Sequence, residues 1–451
     1  MERVFEEEKT DELEQQLLQP MIRTGKAFYA FVAMLIAVVG WAGYAYYVQY
    51  TQGLIVTGMR DVVLWGIYIT NFVFFIGISH AGTLISAILR VSGAEWRRPI
   101  TRMAEAITVF ALMVGATMVL IDLGRPDRLL YIITNGRLQS PILWDFISIG
   151  AYLTGSIIYL YLPLIPDMAI CKNKLPNLSG WKRRLYGLLS VGWKGNEQQK
   201  KRLEKSISIM AILIIPIAVS VHTVVSWMFA MTMRHGWHST IFGPYFVVGA
   251  IFSGIAGIIL AMAIFRRVYH LESVITRDHF KYLGLLLLTL DVTYIYFTIS
   301  EYLTAGYVGE TSEARLLREL FRGQYASLFW SMVLIGFVLP AFLLANPRTR
   351  TIRGIVVASI LVNIAMWIKR YIIIIPTLSL PLVAGGWGQY TPTWVELSIT
   401  AGAIVGFILL YTIFSKIFPI ISIWEVKEGQ EKMEPMTAEA ELEGVPTFGS
   451  P

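Results

Sequence analysis

About ten stretches of this chain are apolar over roughly twenty residues each, the length a helix needs to cross bilayer hydrocarbon. They are Ala27–Tyr47, Val62–Leu89, Thr101–Leu120, Phe146–Leu164, Ser206–Met233, Pro244–Phe265, Leu283–Thr304, Ser327–Leu344, Ile355–Pro376 and Val395–Phe418. The polar segments between them alternate in character. Segments 90–102, 172–205, 266–281 and 348–353 are rich in Lys and Arg, whereas 51–61, 235–243, 301–325 and 378–394 are nearly neutral or mildly acidic. The positive-inside rule therefore predicts cytoplasmic basic loops and cytoplasmic termini. It leaves one conflict: the turn after the third span carries Arg125, Arg128 and Arg137 on the opposite, periplasmic side.

Composition agrees with a polytopic membrane protein. Of 451 residues, 55% are hydrophobic and 15% charged, a balance foreign to a water-soluble fold. The formal charge of +7 is dispersed over inter-helix loops, so membrane topology accounts for it and nucleic acid is not an expected partner. A single cysteine, Cys171, excludes a disulfide framework, a Cys-ligated iron–sulfur cluster and a Cys-x-x-Cys-His haem attachment. The acidic start, Met1 to Gln19, reads as a cytosolic tail without a signal peptide. Trp424 to Pro451, rich in Glu, Gly and Pro, reads as a disordered cytosolic end. The loop 166–205, with Trp181, Arg183, Arg184 and Trp193, is either an interfacial segment on anionic headgroups or a solvated basic loop.

A faint internal repeat suggests the architecture. Ser79-His80-Ala81-Gly82 precedes Arg90 in the second span, and Ser253-Gly254-Ile255-Ala256-Gly257 precedes Arg266 and Arg267 in the sixth. The span following each ends in acid, at Asp122 and at Glu301. The expected fold is all-α, with two four-helix bundles and two flanking helices. Its divisions are a tail at 1–26, the first span and loop at 27–61, bundles at 62–233 and 234–376, the last loop and span at 377–423, and a tail at 424–451. Small residues at helix contacts would produce much of the same similarity.

Ionisable side chains in hydrocarbon are costly, by about 2.5–3.5 kcal/mol on insertion scales, so the few present are candidates for function. They are His80, Glu105, Asp122, His222, Asp291, Lys369 and Arg370. Asp291 lies midway along its span with Tyr294 and Glu301 beyond it, a spacing that suits a proton relay or a structural hydrogen bond between helices. His222 follows Pro216, whose interruption of the helix frees a carbonyl that protein or water must satisfy. A histidine there can exchange a proton near neutral pH. His80 and His222 do not make the twin pairs a two-haem cytochrome b needs, so no haem is expected. Lys369 and Arg370 are adjacent near the periplasmic end of the ninth span and call for partners, for which Asp122 and Asp145 are the candidates. Such a contact is either a proton-accepting site or an ion pair tying the bundles together.

Four segments carry a family resemblance. They are Asp122-Leu123-Gly124-Arg125-Pro126, the run Arg137 to Asp145 (RLQSPILWD), Ser220 to Trp227 (SVHTVVSW) and Gly236 to Phe246 (GWHSTIFGPYF). Through them the chain resembles membrane subunits of the NrfD and polysulfide-reductase type, across essentially the whole membrane part. The last three look most like the quinol-oxidising subunit ActC of bacterial alternative complex III. The resemblance implies a multi-pass subunit of the bacterial cytoplasmic membrane that binds quinone or menaquinone, without haem, iron–sulfur cluster or metal of its own. It also implies a menaquinol or quinol site near the periplasmic face, with electrons passing to a periplasmic iron–sulfur protein and on to multihaem and monohaem c-type cytochromes, beside a paralogous NrfD-like subunit. On that reading Asp122, Asp145 and His222 are the catalytic candidates, and Arg370, Lys369, Arg125 and His80 bind or support quinol. Glu105, Asp291, Tyr294 and Glu301 are proton-path candidates from membrane depth. Two rivals remain: a non-catalytic anchor and proton conduit like the paralogue ActF, and a secondary transporter, which would move solute in liposomes with no redox partner.

Overall fold

In a computed structural model the chain is described over residues 14–22, 24–175, 178–382 and 386–429, except for the side chains of residues 81, 83 and 84. Helices α1 (14–22) and α2 (Lys26–Gln52) open the chain, followed by α3 (Ile67–Val91) and α4 (Arg98–Asp122). A short α5 (Tyr131–Thr134) leads to α6 (Pro141–Lys174), α7 (Gly180–Leu189), α8 (Glu197–Ala230), α9 (Phe242–Val268) and α10 (Arg277–Val308). Then come α11 (Thr311–Phe321), α12 (Ala326–Val333) and α13 (Leu339–Ala345), the last two joined by a π turn at Leu334–Val338. Helices α14 (Ile352–Ser379), α15 (Trp394–Ile417) and α16 (423–429) complete the described chain. Ten of these segments are long and apolar enough to cross a membrane, as the hydropathy pattern predicts. The protein is a multi-pass membrane protein.

Helices α3, α4, α6 and α8 close one ring of neighbours, and α9, α10, α12/α13 and α14 close a second. The two rings meet through α3 on α9, α8 on α9 and α14 on α3, while α2 and α15 pair with each other and α15 leans on α4. These are the two bundles and two flanking helices expected from the sequence. The small-residue segments of the apparent repeat are crossing points. A Cβ on Gly82 would lie 2.0 Å from the carbonyl oxygen of Ala104, and one on Gly77 only 3.4 Å from Ser253 Oγ. Absent side chains let the backbones approach, which is what packing without a hydrophobic drive between helices requires.

The connections between spans are more structured than the apolar pattern suggests. The basic loop at 166–205 is mostly the end of α6, the whole of α7 and the start of α8. Helix α7 buries Tyr186, whose hydroxyl donates to the carbonyl of Ile417 (2.7 Å), and exposes Trp181 and Leu188. Its fixed end at Tyr186 and exposed apolar side chains match an interfacial segment better than a solvated loop. Residues 424–429, expected to begin a disordered end, are helical, and Glu425 is 2% exposed. Residues 430–451 of that tail lie outside the described residues, as do residues 1–13 of the N-terminal one.

The reason for that order is a charge at the basic face of the first bundle, the face that carries the Lys- and Arg-rich connections. Arg102 of α4 and Asp167 of α6 form an ion pair at 1% and 0% side-chain exposure. Asp167 also accepts from the backbone N–H groups of Ile423 and Trp424, both at 3.1 Å. Arg102 donates to the carbonyl of Pro163 (2.8 Å) and the hydroxyl of Ser422 (3.1 Å). Glu425 adds ion pairs to Arg90 and Arg97. The pair is thus satisfied only when 419–425 lies across it. Removing one member of a buried pair strands the other and typically costs about 3–5 kcal/mol, whereas replacing both with apolar residues is often neutral. Arg102→Met or Asp167→Leu alone is expected to lower the thermal midpoint in detergent strongly, and the double variant to recover most of the loss.

Candidate functional site

The first bundle meets the second around His222 of α8. The residue is fully buried, and neither ring nitrogen has a hydrogen-bond partner. Its ring centroid lies 3.9 Å from that of His80 of α3, and His80 lies 4.6 Å from the ring of Tyr152 of α6. The carbonyl of Ala218 on α8 accepts from His80 Nε2, while His80 Nδ1 faces the carbonyl of Ile76 at 3.0 Å. Both partners of His80 are acceptors. Only an imidazole carrying a proton on each nitrogen satisfies both.

Arg370 of α14 reaches the same place from the second bundle. Its guanidinium carbon sits 4.9 Å from the ring of Phe246, and its two terminal nitrogens are buried without a partner. Room for it comes from two glycines: a Cβ on Gly249 would lie 3.1 Å from Arg370 Nη2 and 2.7 Å from Tyr294 Cε2, and one on Gly77 would lie 3.8 Å from Arg370 Nη2. Four unpartnered nitrogens, two of His222 and two of Arg370, therefore face the junction of α3, α8, α9 and α14. His222 is eight residues from the end of α8, about 12 Å below the face carrying residues 121–145, hereafter the motif face. Aromatic rings cover it on that side. Trp237 stacks on Trp65 (6.1 Å) and meets Phe229 edge-on (5.0 Å), and its indole N–H donates to the carbonyl of Ile373 (2.7 Å). Gly236, at φ 85°, makes the turn that inserts this indole, a conformation glycine adopts without strain.

Lys369 points elsewhere. Its ammonium lies 3.6 Å from Glu301, donates to the hydroxyl of Tyr302 (3.0 Å) and stands over the rings of Tyr245 and Tyr302 at 4.9 and 4.8 Å. The ring of Tyr294 lies tilted against that of Tyr245 at 4.7 Å, on the side of Arg370. Asp291 is fully buried on the same helix, with neither carboxylate oxygen partnered.

The expected partnership of Lys369 and Arg370 with Asp122 and Asp145 is not formed. No ion pair or hydrogen bond joins these residues among those described, and Lys369 takes Glu301 instead. Asp122 ends α4 with Oδ1 buried and unpartnered. Its neighbours are the flanking helices: Gln49 donates to the carbonyl of Ile121 (2.8 Å) and accepts from Tyr68 (2.7 Å), and Glu396 lies within electrostatic reach. Gly124, at φ 64°, stops the helix just beyond, and Pro126 prevents its resumption. Asp145, 7% exposed near the start of α6, also has an unpartnered Oδ1. Arg125 pairs with Asp127 at 3.1 Å in the exposed turn, and its guanidinium holds the Asp127 carboxyl below the usual carboxylate range.

A fourth cluster lies toward the basic face. Glu105 of α4 accepts from Ser86 of α3 (2.8 Å), whose hydroxyl also reaches Tyr159 of α6 (3.4 Å), and Glu105 Oε2 has no partner. Along α3 the order is His80, Ser86, Arg90, about 9 and 6 Å apart at helical rise. The structure thus adds Tyr152, Tyr245, Tyr302 and Phe246 to the residues singled out from sequence. Tyr152 and Tyr302 carry no sequence signal beyond being aromatic in an apolar run, whereas Tyr245 and Phe246 close the segment Gly236 to Phe246. Trp237 lies inside one of the four segments that carried the resemblance, and Glu396 completes a Thr393…Glu396 capping box, a legible helix-start signature. Among the described residues no group of three or more His, Cys, Asp or Glu side chains could hold a metal ion.

Ten spans in two bundles, with partnerless histidine, arginine and carboxylate groups deep inside, define a membrane protein built around an internal polar site. The sequence matches the family described as polysulphide reductase, NrfD, over residues 55–381, and the chain belongs to that family. It is 27% identical over 375 residues to a protein of Halobacterium salinarum assigned as a dimethyl sulfoxide reductase membrane subunit, covering 78% of this chain and 82% of that one. A selenate reductase subunit of Mesobacillus selenatarsenatis is 25% identical over 390 residues, 82% and 89% of the two chains. The Hdr-like menaquinol oxidoreductase integral membrane subunit of Archaeoglobus fulgidus is 24% identical over 398 residues, 84% and 90%.

The close approach at Gly249 gives a direct check on the junction. Gly249→Ala places a methyl group against Tyr294 and Arg370, and overpacking of this kind costs about 1–3 kcal/mol. Gly257→Ala, on the same helix, meets only Ile78 Cγ2 at 3.6 Å and is expected to be neutral or slightly stabilising. Thermal unfolding of the two variants should therefore diverge.

Proposed function

We propose that this chain is the quinol-reactive membrane subunit of a multi-subunit oxidoreductase. The observation that carries the reading is the set of partnerless nitrogens on His222 and Arg370. Buried polar groups are ordinarily hydrogen-bonded, and an unsatisfied one costs about 1–3 kcal/mol. A quinol presents hydroxyls and a quinone carbonyls, on a ring that suits the Phe246 and Phe229 faces, so it answers both the donors and the acceptor. The names of the relatives point the same way: one is a menaquinol oxidoreductase subunit, and two are subunits of reductases that need an electron supply.

Oxidising a quinol releases two electrons and two protons. Arg370 would fix an oxygen of the ring, and neutral His222 would accept a hydroxyl proton. His80 is placed to take the proton onward, because protonation completes its donors to Ile76 and Ala218. Ser86 lies further along α3 toward the basic face, with Glu105 of α4 and Tyr159 of α6 beside it. Asp122 and Asp145 are acceptor candidates on the motif-face side, and the Asp291, Tyr294, Glu301 and Lys369 series is a second route through the other bundle. Electrons would leave to an iron–sulfur protein docked on the motif face beside Arg125, Arg128 and Arg137. We take that face to be periplasmic and both termini cytoplasmic, from the basic loops. In the finer reading the assembly resembles alternative complex III, with multihaem and monohaem c-type cytochromes and a paralogous membrane subunit.

The intact complex, purified with His222→Ala or Arg370→Gln, tests this. Either variant is expected to lower quinol-to-acceptor turnover by about a hundredfold or more, the range associated with a positioned acid–base group. Assembly should be unchanged. Asp122→Asn tests the motif-face acceptor separately. Full turnover in a correctly assembled His222→Ala complex would remove the junction from the reaction and leave the chain as an anchor.

A further inference from the structure

Among the described residues a large space lies apart from the junction. Between the α2/α15 pair and the flank made by α3, α9 and α14 runs a cleft of about 1190 Å³. Phe75, Ile78, Leu260, Ile264, Ile404 and Phe407 are among its walls, and neither His222 nor Arg370 lines it. The cleft opens because α15 packs closely on α2, with Gly402 against Ala42, and diverges from α9 and α14.

Its mouth at the basic face is built. Gln16 of α1 donates to the carbonyl of His270 (3.0 Å) and accepts from Ser273 (3.2 Å), while Lys416 at the end of α15 donates to the carbonyl of Pro20 (2.6 Å). Helix α1 thereby straps the α9–α10 turn to α15. His270 adopts φ 54°, uncommon outside glycine, where the chain turns at this rim. The Lys416 ammonium is held between the rings of Phe28 (4.8 Å) and Tyr269 (5.5 Å), and Lys182 Nζ stands 3.5 Å from the Lys416 carbonyl. Lys416, with Lys182 close behind it, therefore marks one end of a space whose walls are mainly apolar.

The volume exceeds the roughly 300–1,000 Å³ of sites for drug-sized molecules. Apolar walls do not hold water, and an empty space forfeits the dispersion contacts of its lining. Long hydrocarbon chains with an anionic head satisfy both ends. We propose that the cleft is a site for one anionic phospholipid of the basic-face leaflet, its acyl chains between α15 and α9 and its phosphate beside Lys416 and Lys182. An isoprenoid quinone would fill the walls but bring no charge to the rim. The lipid completes the packing of the α2/α15 pair against the bundles.

Lipids retained by the full chain after purification in mild detergent, identified by mass spectrometry, are expected to include one anionic phospholipid per chain. Gly257→Phe, which projects a ring into the cleft, should lose it, as should Ile264→Trp from the outer wall. In a second arm, delipidated protein should gain thermal stability from micelles doped with phosphatidylglycerol more than from phosphatidylcholine, and Lys416→Ala should abolish that preference. Retention of the lipid by folded wall-filling variants, a quinone in its place, or equal response to the two headgroups would overturn the proposal. Quinol turnover is untouched by either result, so the lipid site and the quinol junction stand or fall independently.

Discussion

Hydrocarbon offers no partner to a polar group, so every such group inside this protein must find one in the protein or in something the protein binds. That constraint arranges the two bundles. Their contact is not a greasy seam but the place where α3, α8, α9 and α14 bring together His80, His222 and Arg370. Glycines on α3 and α9 admit the guanidinium, and aromatic rings from α8 and from the segments before α3 and α9 close over it. Without Arg370 the glycine gaps would be voids, and without the gaps Arg370 would have no place in the interior.

The buried charges divide into two kinds by how completely they are answered. Arg102 and Asp167 use backbone amides, carbonyls and a hydroxyl as well as each other, which is the condition for a buried pair to be tolerable. Lys369, Glu301 and Tyr302 are close to that condition, with Tyr245 supplying a ring face. His222, Arg370 and Asp291 are far from it. Arg102 leaves only Nε without a partner whereas Arg370 leaves both terminal nitrogens, and this contrast is stronger support for a ligand at the junction than burial alone.

The spans, their count and the grouping into bundles are legible in the sequence because apolar runs of this length have one structural use in a membrane. The ionisable residues inside them stand out just as directly. Their pairing does not. Sequence order presents Lys369 and Arg370 as one doublet facing Asp122, yet neighbours on a helix point about 100° apart at 3.6 residues per turn, so one turns to α10 and the other to α8. Depth misleads as well. Measured from Pro376 the doublet is close to the motif face, but α14 continues to Ser379, and Arg370 sits nine residues below its end while Asp122 stands at the end of α4. The tail from Trp424 has the composition of a disordered segment, since nothing local reveals that Asp167 awaits two backbone amides.

On the proposed reading, the His80 geometry would set which way a proton leaving the junction is drawn. His222 has no fixed partner and His80 has two acceptors, so a proton shared between these adjacent rings gains hydrogen bonds only by moving onto His80. From there the polar side chains on α3 continue toward Ser86 and Arg90, away from the motif face. The aromatic cover of Trp65, Phe229 and Trp237 lies on the other side. Electrons would leave past the rings toward the motif face, while the hydroxyl and carboxylate of Ser86 and Glu105 offer a proton a route toward the basic face as an alternative to Asp122 and Asp145. On that reading the subunit would give its complex a direction for protons through which helix face carries the hydroxyls and carboxylates.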